Sequence, residues 1–276
     1  MEMAGLAGDV ESALHAEVET WTEWPQDLKE VCVYALFTGG KRIRPVLGLM
    51  VGQALRAELT ALMPWVVAVE MIHTYSLIHD DLPAMDDDNI RRGQPTCHIK
   101  FGEALAILAG DALLTRAFNV VAESPSLSPA KKVELVRLLG RIAGGAGMVG
   151  GQVMDISGTM VNESSVVRMQ ALKTGALICG AAEGAAVAAG ASDHTVKNVA
   201  EFGRALGLLF QLTDDLLDRD EDLAEGGNNI LHHIDESALK NRINVVSAKA
   251  RSALDAVGQD VHHLLALVDR IAQRTV

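Results

Sequence analysis

Five aspartates stand within nine residues, at Asp80, Asp81, Asp86, Asp87 and Asp88, and Arg91 and Arg92 follow closely. So much like charge is costly to hold unless a cation shares the site. Carboxylates select hard cations such as Mg2+, which keeps part of its water shell and bridges to phosphate oxygens. The arginines do not suit a metal cage alone. They suit an anion that arrives with the metal, because a guanidinium grips phosphate through two parallel hydrogen bonds. The chemistry implied is a Mg2+-diphosphate site. A solvated acidic loop is the plain alternative for any charge run. A calcium loop is a third reading, but Asp86-Asp87-Asp88-Asn89 lacks the glycine and the distal glutamate of an EF-hand.

A second cluster weakens the plain alternative. Gln211, Asp214 and Asp218 fall at i, i+3 and i+7, offsets that share one helix face, with Asp215 beside them. Each Asp-Asp pair ends a long apolar helix. On the first of these helices His73 and Asp80 are seven residues apart and face one way. Gly40-Lys41-Arg42-Ile43-Arg44 sets three cations and a flexible backbone at a helix start, where free N–H groups bind phosphate. A solvated basic turn is the bland reading of the same residues. Lys173-Thr174-Gly175 places one lysine and one hydroxyl among small residues, and Gln152 and Asp155, at i and i+3, can border a wet cavity. Gly145 to Gly150 spells G-x-G-x-x-G, but no strand precedes it, so it reads as close helix packing. His232-His233 and His262-His263 lack metalloprotease spacing, and no nucleophile elbow or Cys/His dyad occurs.

Helices must position these groups. Helical periodicity runs nearly throughout, without sustained strand alternation. Helices are expected over about 3–22, 27–37, from Ile43, 64–80, 102–123, 129–155, 164–190, 195–218, 236–256 and 258–273, with loops at about 83–96 and 219–229. No repeat or linker divides the 276 residues, so a single all-α domain over 1–276 is expected. Apolar residues make up 49% of the chain, ample for a core, and the net charge of −12 with no long basic stretch excludes a nucleic-acid reader. Cys32, Cys97 and Cys179 form no zinc spacing and no disulfide framework, which points to a reducing, cytoplasmic compartment. No basic leader opens the sequence. The most apolar stretch, about Leu177 to Ala191, is Ala/Gly-rich and holds Glu183, so a packed core helix is expected there rather than a membrane span.

Taken together, these segments resemble the trans-isoprenyl diphosphate synthases. Lys41-Arg42-Ile43-Arg44-Pro45 resembles their substrate-binding turn. Asp80-Asp81-x4-Asp86 resembles their first aspartate-rich motif, in the form with two extra residues. Arg91-Arg92-Gly93, Gly110-Asp111, Gly151-Gln152 with Asp155, Lys173-Thr174-Gly175 and Phe210-Gln211 with Asp214-Asp215-x2-Asp218 then follow in the family's order. The resemblance implies an all-α isoprenoid synthase-like bundle around a central cavity, and a homodimer. It implies that Asp80, Asp86 and Asp214 coordinate Mg2+, three ions in all with substrate bound, while Asp81, Asp215 and Asp218 act as further ligands or behind them. Arg91 and Lys173 would hold the allylic diphosphate; Lys41, Arg44, His73 and Arg92 would hold isopentenyl diphosphate. Thr174 and Gln211 would turn dipoles toward the carbocation. Tyr75, five residues before Asp80, would stop the growing chain, which favours farnesyl over geranylgeranyl diphosphate. A terpene cyclase fits less well, because its second metal motif differs. A regulatory subunit usually lacks one or both aspartate motifs.

One departure from the family's pattern stands out. The family usually has a longer lysine-bearing lid after the second motif. Here Asp218 is followed by Arg219-Asp220-Glu221-Asp222, and no lysine occurs before Lys240. Either the lid is deleted, or a mobile segment is missing and the chain breaks near Gly226 to Asn229, which is the expectation adopted.

Overall fold

The computed structural model describes residues 2–275 except Thr159, 220–227 and 258–259. The chain sorts into two compact units, residues 1–49 with 59–136, and residues 50–58 with 137–276. Helices dominate both. Among the described residues, strand is confined to one two-residue hairpin.

The first unit contains α1 (Glu2–Glu19), α2 (Gln26–Phe37), the start of α3 (Ile43–Ala54), α4 (Leu59–Asp80), α5 (Cys97–Phe101), α6 (Glu103–Glu123) and the start of α7 (Pro129–Ala143). Helix α4 is its centre. Trp65, Val66, Val69, Met71 and Ile72 are fully buried, so this helix is apolar nearly all round, as a core helix must be. It begins at Leu59, five residues before the expected start at Pro64. A proline inside a helix leaves the carbonyl four residues back without its donor. The Ser126 hydroxyl replaces that donor, reaching the Thr60 carbonyl at 2.7 Å. After α4 the expected loop contains structure of its own. Strands β1 (Ile90–Arg91) and β2 (Gln94–Pro95) pair antiparallel around Arg92-Gly93, whose φ values of 54° and 75° make the type I′ turn that suits a two-residue hairpin.

The second unit contains the rest of α3 and α7, then α8 (Met148–Ile156), α9 (Glu163–Gln170), α10 (Ala176–Ala189), α11 (Asp193–Leu217), α12 (Glu236–Asp255) and α13 (His262–Ala272). A single helix was expected from 129 to about 155. It breaks between Ala143 and Met148, where Gly144, Gly145 and Gly147 give the backbone little reason to stay helical. The helix expected over 164–190 is continuous, but Ala171–Gly175 widens into a π-helical turn around Lys173 and Thr174. Helix α9 starts with a capping box, Asn162 and Ser165 bonding each other's backbone N–H. Helix α11 starts at Ser192, whose hydroxyl accepts from the Thr195 N–H. The small residues of α10 are buried, as the packed-core reading requires. Of the break expected at Gly226 to Asn229, the first two residues lie outside the described residues. Asn228 and Asn229 are placed and hydrogen-bonded.

Among the described residues, three helical stretches are long and apolar enough to cross a membrane by length and composition: Leu59–Asp80, Glu103–Glu123 and Glu163–Ala189. In the first and third, 67% of the most apolar window is buried inside the protein; in Glu103–Glu123 only 33% is. Core packing thus accounts for two of them, and α6 keeps an uncovered apolar face.

Candidate active site

In the first unit the basic turn resolves into three different jobs. Arg42 is not a ligand group. It is buried, with φ 48°, and its guanidinium pairs with Glu70 at 2.5 Å and Glu11 at 2.7 Å and also donates to the Leu36 carbonyl. A buried guanidinium with two carboxylates and a carbonyl has its donors engaged, and removing any partner would strand a charge. This anchor fixes the turn. Lys41 beside it is exposed, and Arg44, half-buried on the first turn of α3, points to His73.

His73 Nε2 stands 3.1 Å from Arg44 Nη1. An arginine can only donate, so this imidazole nitrogen accepts and carries no proton. Burial, reinforced by Arg44, Arg92, Arg42 and Arg91, holds the His73 pKa well below its usual value. Arg44 touches this neutral histidine, and the charges of Arg92, Arg42 and Arg91 reach it. Such a concentration of cation in a chain of net charge −12 is suited to a polyanion. Arg92 reaches back to the Gly39 carbonyl, and its guanidinium lies against Gly40, where a Cβ would stand 2.5 Å from Nη1. Only glycine lets the turn and the arginine share that space.

The first aspartate cluster also divides. Asp81 is buried and takes Arg91 Nε at 2.5 Å, while Asp88 takes Arg91 Nη2 at 3.0 Å. Burial raises the Asp81 pKa, and Arg91 works against that rise. Asp81 thus aims Arg91 rather than facing outward. Asp80 is half-buried and Asp86 exposed, and the Asp86 N–H donates to the Asp80 carbonyl at 2.8 Å, which folds the extra residues back on the helix end. Tyr75 is buried one turn earlier, edge-on to His79 at 5.8 Å, and His79 Nε2 donates to the Ile107 carbonyl of α6 at 3.1 Å. Burial, with Asp80 nearby, pushes the Tyr75 hydroxyl up to about 12. The ring is fixed and its hydroxyl stays protonated.

In the second unit Lys173 projects from the π-helical turn to Asp155 of α8 at 2.5 Å. The other Asp155 oxygen accepts from the Asn228 amide at 2.7 Å. Gly151 permits this approach, since a Cβ there would stand 2.1 Å from the Lys173 backbone nitrogen. The Gln152 side-chain amide is buried with neither end hydrogen-bonded, an open polar group next to this pair in sequence. Thr174 and Gln211 are both half-buried.

The three motif aspartates at the C-terminal end of α11 have separate surroundings. Asp215 is buried, accepting from Gln170 Nε2 at 2.9 Å on both oxygens and from the Ile230 N–H at 3.2 Å, while Asn229 donates to its carbonyl. Asp218 is exposed at the end of α11. Asp214 is half-buried and lies 3.3 Å from Arg274. Gln170, Asn229 and Arg274 carry no motif in the sequence; their role follows from pairings across long chain separations. The three cysteines are buried and their thiols pushed up, Cys32 to about 12 and Cys97 and Cys179 to about 11, so none is a ready nucleophile.

Among the described residues no three metal-binding side chains close into a protein-only cage. The donors present are oxygens of aspartate, placed beside arginines and a lysine. That set fits Mg2+, which takes one or two carboxylates and completes its shell with water and phosphate.

A sequence model of the polyprenyl synthetase family matches residues 25–252. The chain belongs to the polyprenyl synthetase family. It is a prenyltransferase, a transferase of isoprenoid biosynthesis. Farnesyl diphosphate synthase of Haemophilus influenzae is 43% identical over 221 residues, covering 79% of this chain and 75% of its own length. Geranylgeranyl pyrophosphate synthase 7 of Arabidopsis thaliana is 37% identical over 290 residues, covering 99% of this chain and 83% of that one. The crystal structure of a geranyltransferase from Legionella pneumophila superimposes with a TM-score of 0.90 at 32% identity, covering 99% of this chain and 96% of that one. The fold is the all-α isoprenoid synthase fold that the motifs implied.

Proposed function

We propose that this protein condenses isopentenyl diphosphate with dimethylallyl and then geranyl diphosphate, and stops at farnesyl diphosphate. The observation that carries the reading is Arg44 on neutral His73, with the charges of Arg92 and Arg91 reaching it, next to carboxylates whose inner member, Asp81, holds Arg91 at 2.5 Å. That is an anion site built beside a cation site. Identity to farnesyl diphosphate synthases supports the product, as does the buried Tyr75 ring.

Each residue has a role in this reading. Asp80 and Asp86 in the first unit, and Asp214 in the second, are the metal ligands. Bound Mg2+, three ions with both substrates present, supplies Lewis-acid neutralisation of the departing diphosphate. Asp81, Asp215 and Asp218 orient or extend these sets. Arg91 and Lys173 hold the allylic diphosphate; Lys41, Arg44, His73 and Arg92 hold isopentenyl diphosphate. His73, lacking a proton on Nε2, keeps Arg44 in place and does not repel the incoming diphosphate. Thr174 and Gln211 present oxygen dipoles to the allylic cation as the leaving group departs. The alkene of isopentenyl diphosphate forms the new C–C bond, and the proton lost afterwards passes to the released diphosphate. Tyr75 limits the tail.

The two units work as one polyprenyl synthetase domain over 1–276, in the cytoplasm, as a homodimer. Exposed Ile107 and Leu108 on the uncovered face of α6 support a second copy there. The test is incubation with Mg2+, dimethylallyl diphosphate and isopentenyl diphosphate, with products dephosphorylated and identified by mass. Farnesol supports the reading and geranylgeraniol replaces it with the longer-chain one. A cyclised hydrocarbon, or no product, points to a cyclase or to a regulatory subunit.

A further inference from the structure

Arg274 belongs to no motif. It lies on the short 3-10 turn Gln273–Thr275 that follows α13. Its Nη1 stands 3.3 Å from an Asp214 carboxylate oxygen, and its guanidinium carbon lies 5.2 Å from the centroid of the Phe210 ring, one turn earlier on α11. The two side chains are 35% and 25% exposed, so the pair is reachable by solvent and solutes. Two other cations of this unit are engaged by their own carboxylates, Lys173 by Asp155 and Arg219 by Glu236.

We propose that Arg274 is a positioning residue that couples metal entry to diphosphate binding at Asp214. With neither ligand bound, its guanidinium neutralises Asp214. A Mg2+ ion arriving alone has to displace it, and then lies beside a cation that has lost its partner. A Mg2+ ion arriving with diphosphate offers the displaced guanidinium a new anion. The planar fork of arginine suits phosphate oxygens, and the Phe210 face keeps the group close while it changes partner. Arg274 therefore opposes the metal alone and favours metal with diphosphate. By linkage the same factor acts in both directions, so diphosphate raises metal affinity as much as metal raises diphosphate affinity. The inference rests on the reading of Asp214 as a metal ligand at a diphosphate site.

Isothermal titration of the full chain tests it, using Mg2+ alone and then Mg2+ with saturating inorganic pyrophosphate, on wild type, Arg274→Ala and Arg274→Lys. For Arg274→Ala the expected result is tighter binding of Mg2+ alone and weaker binding of the Mg2+-pyrophosphate pair. The factor by which pyrophosphate raises Mg2+ affinity then falls at least about fivefold. Arg274→Lys, which keeps the charge but not the fork, lies between. An unchanged factor in Arg274→Ala overturns the role of Arg274 while leaving the diphosphate site standing. Two affinities that fall together, with a lower melting temperature, make Arg274 structural only and also overturn it. A wild type that binds neither Mg2+ nor pyrophosphate overturns the diphosphate site itself.

Discussion

Adjacent aspartates in one motif should fail in opposite ways. Asp215 is buried and accepts from Gln170 Nε2 at 2.9 Å and from the Ile230 N–H at 3.2 Å. Asp215→Ala leaves both donors buried without a partner. Each such donor costs roughly 1–3 kcal/mol, so the loss is about 2–6 kcal/mol. In a chain of this size 1 kcal/mol moves the melting temperature by roughly 2–4 °C, which places the variant roughly 4–24 °C below wild type. Asp215→Asn keeps one acceptor and should recover part of that loss. Asp214 is half-buried, and its pairing with Arg274 is a solvent-reached one worth at most about 1 kcal/mol. Asp214→Ala should therefore melt within about 4 °C of wild type. Its turnover should fall by at least about 100-fold, the scale seen when a preorganised charge-stabilising group is removed. Thermal melts by circular dichroism and a radiolabelled condensation assay on the same preparations separate the two. If Asp214→Ala melts early and Asp215→Ala does not, the division of labour within α11 is wrong.

Other perturbations follow from the same geometry. Asp80→Ala should also lose at least about 100-fold in turnover with little change in melting temperature, measured by the same pair of assays. Tyr75→Ala should shift products from C15 towards C20 and cost about 3 kcal/mol in stability, because a buried ring is removed; an unchanged chain-length profile would put the floor elsewhere. His73 stays neutral in the fold while the unfolded chain takes up its proton below about pH 6.5, so stability is lost as pH falls. Unfolding free energies from urea melts at pH 7.5 and 5.5 should differ by about 1 kcal/mol more in wild type than in His73→Asn.

Helix content and the order of the motifs were legible because each rests on local pattern. A long apolar run marks α4 and periodicity marks α11, and both aspartate clusters sit at or beside their ends. What was not legible depends on partners distant in sequence. Pro64 marks a helix start only if nothing replaces its donor, and Ser126, sixty-two residues on, does. Arg42 and Arg44 are two positions apart and both cationic, yet Glu70 and Glu11 draw one into the core while His73 takes the other. Asp214 and Asp215 likewise look equivalent until Gln170 and Ile230 are seen to engage one of them. The Gly145 to Gly150 stretch reads as packing, and its backbone is close enough that a Cβ on Gly150 would stand 2.1 Å from the Gly145 carbonyl oxygen; the helix end at Ala143 just before it is the feature the sequence does not signal. The widened turn at Lys173 leaves no trace in periodicity, since one extra residue per turn shifts the pattern by less than a face.

If the carboxylates and arginines serve one ionisation and condensation, metal and both substrates must act in the same turnover. The most direct measurement is a single-turnover reaction of excess enzyme with geranyl and isopentenyl diphosphates, with and without EDTA. Pyrophosphate and C15 product are quantified together in each. One pyrophosphate released per C15 chain formed is expected with Mg2+ present, and neither with EDTA. Pyrophosphate released without a matching C15 chain, or no reaction with Mg2+ present, would contradict it.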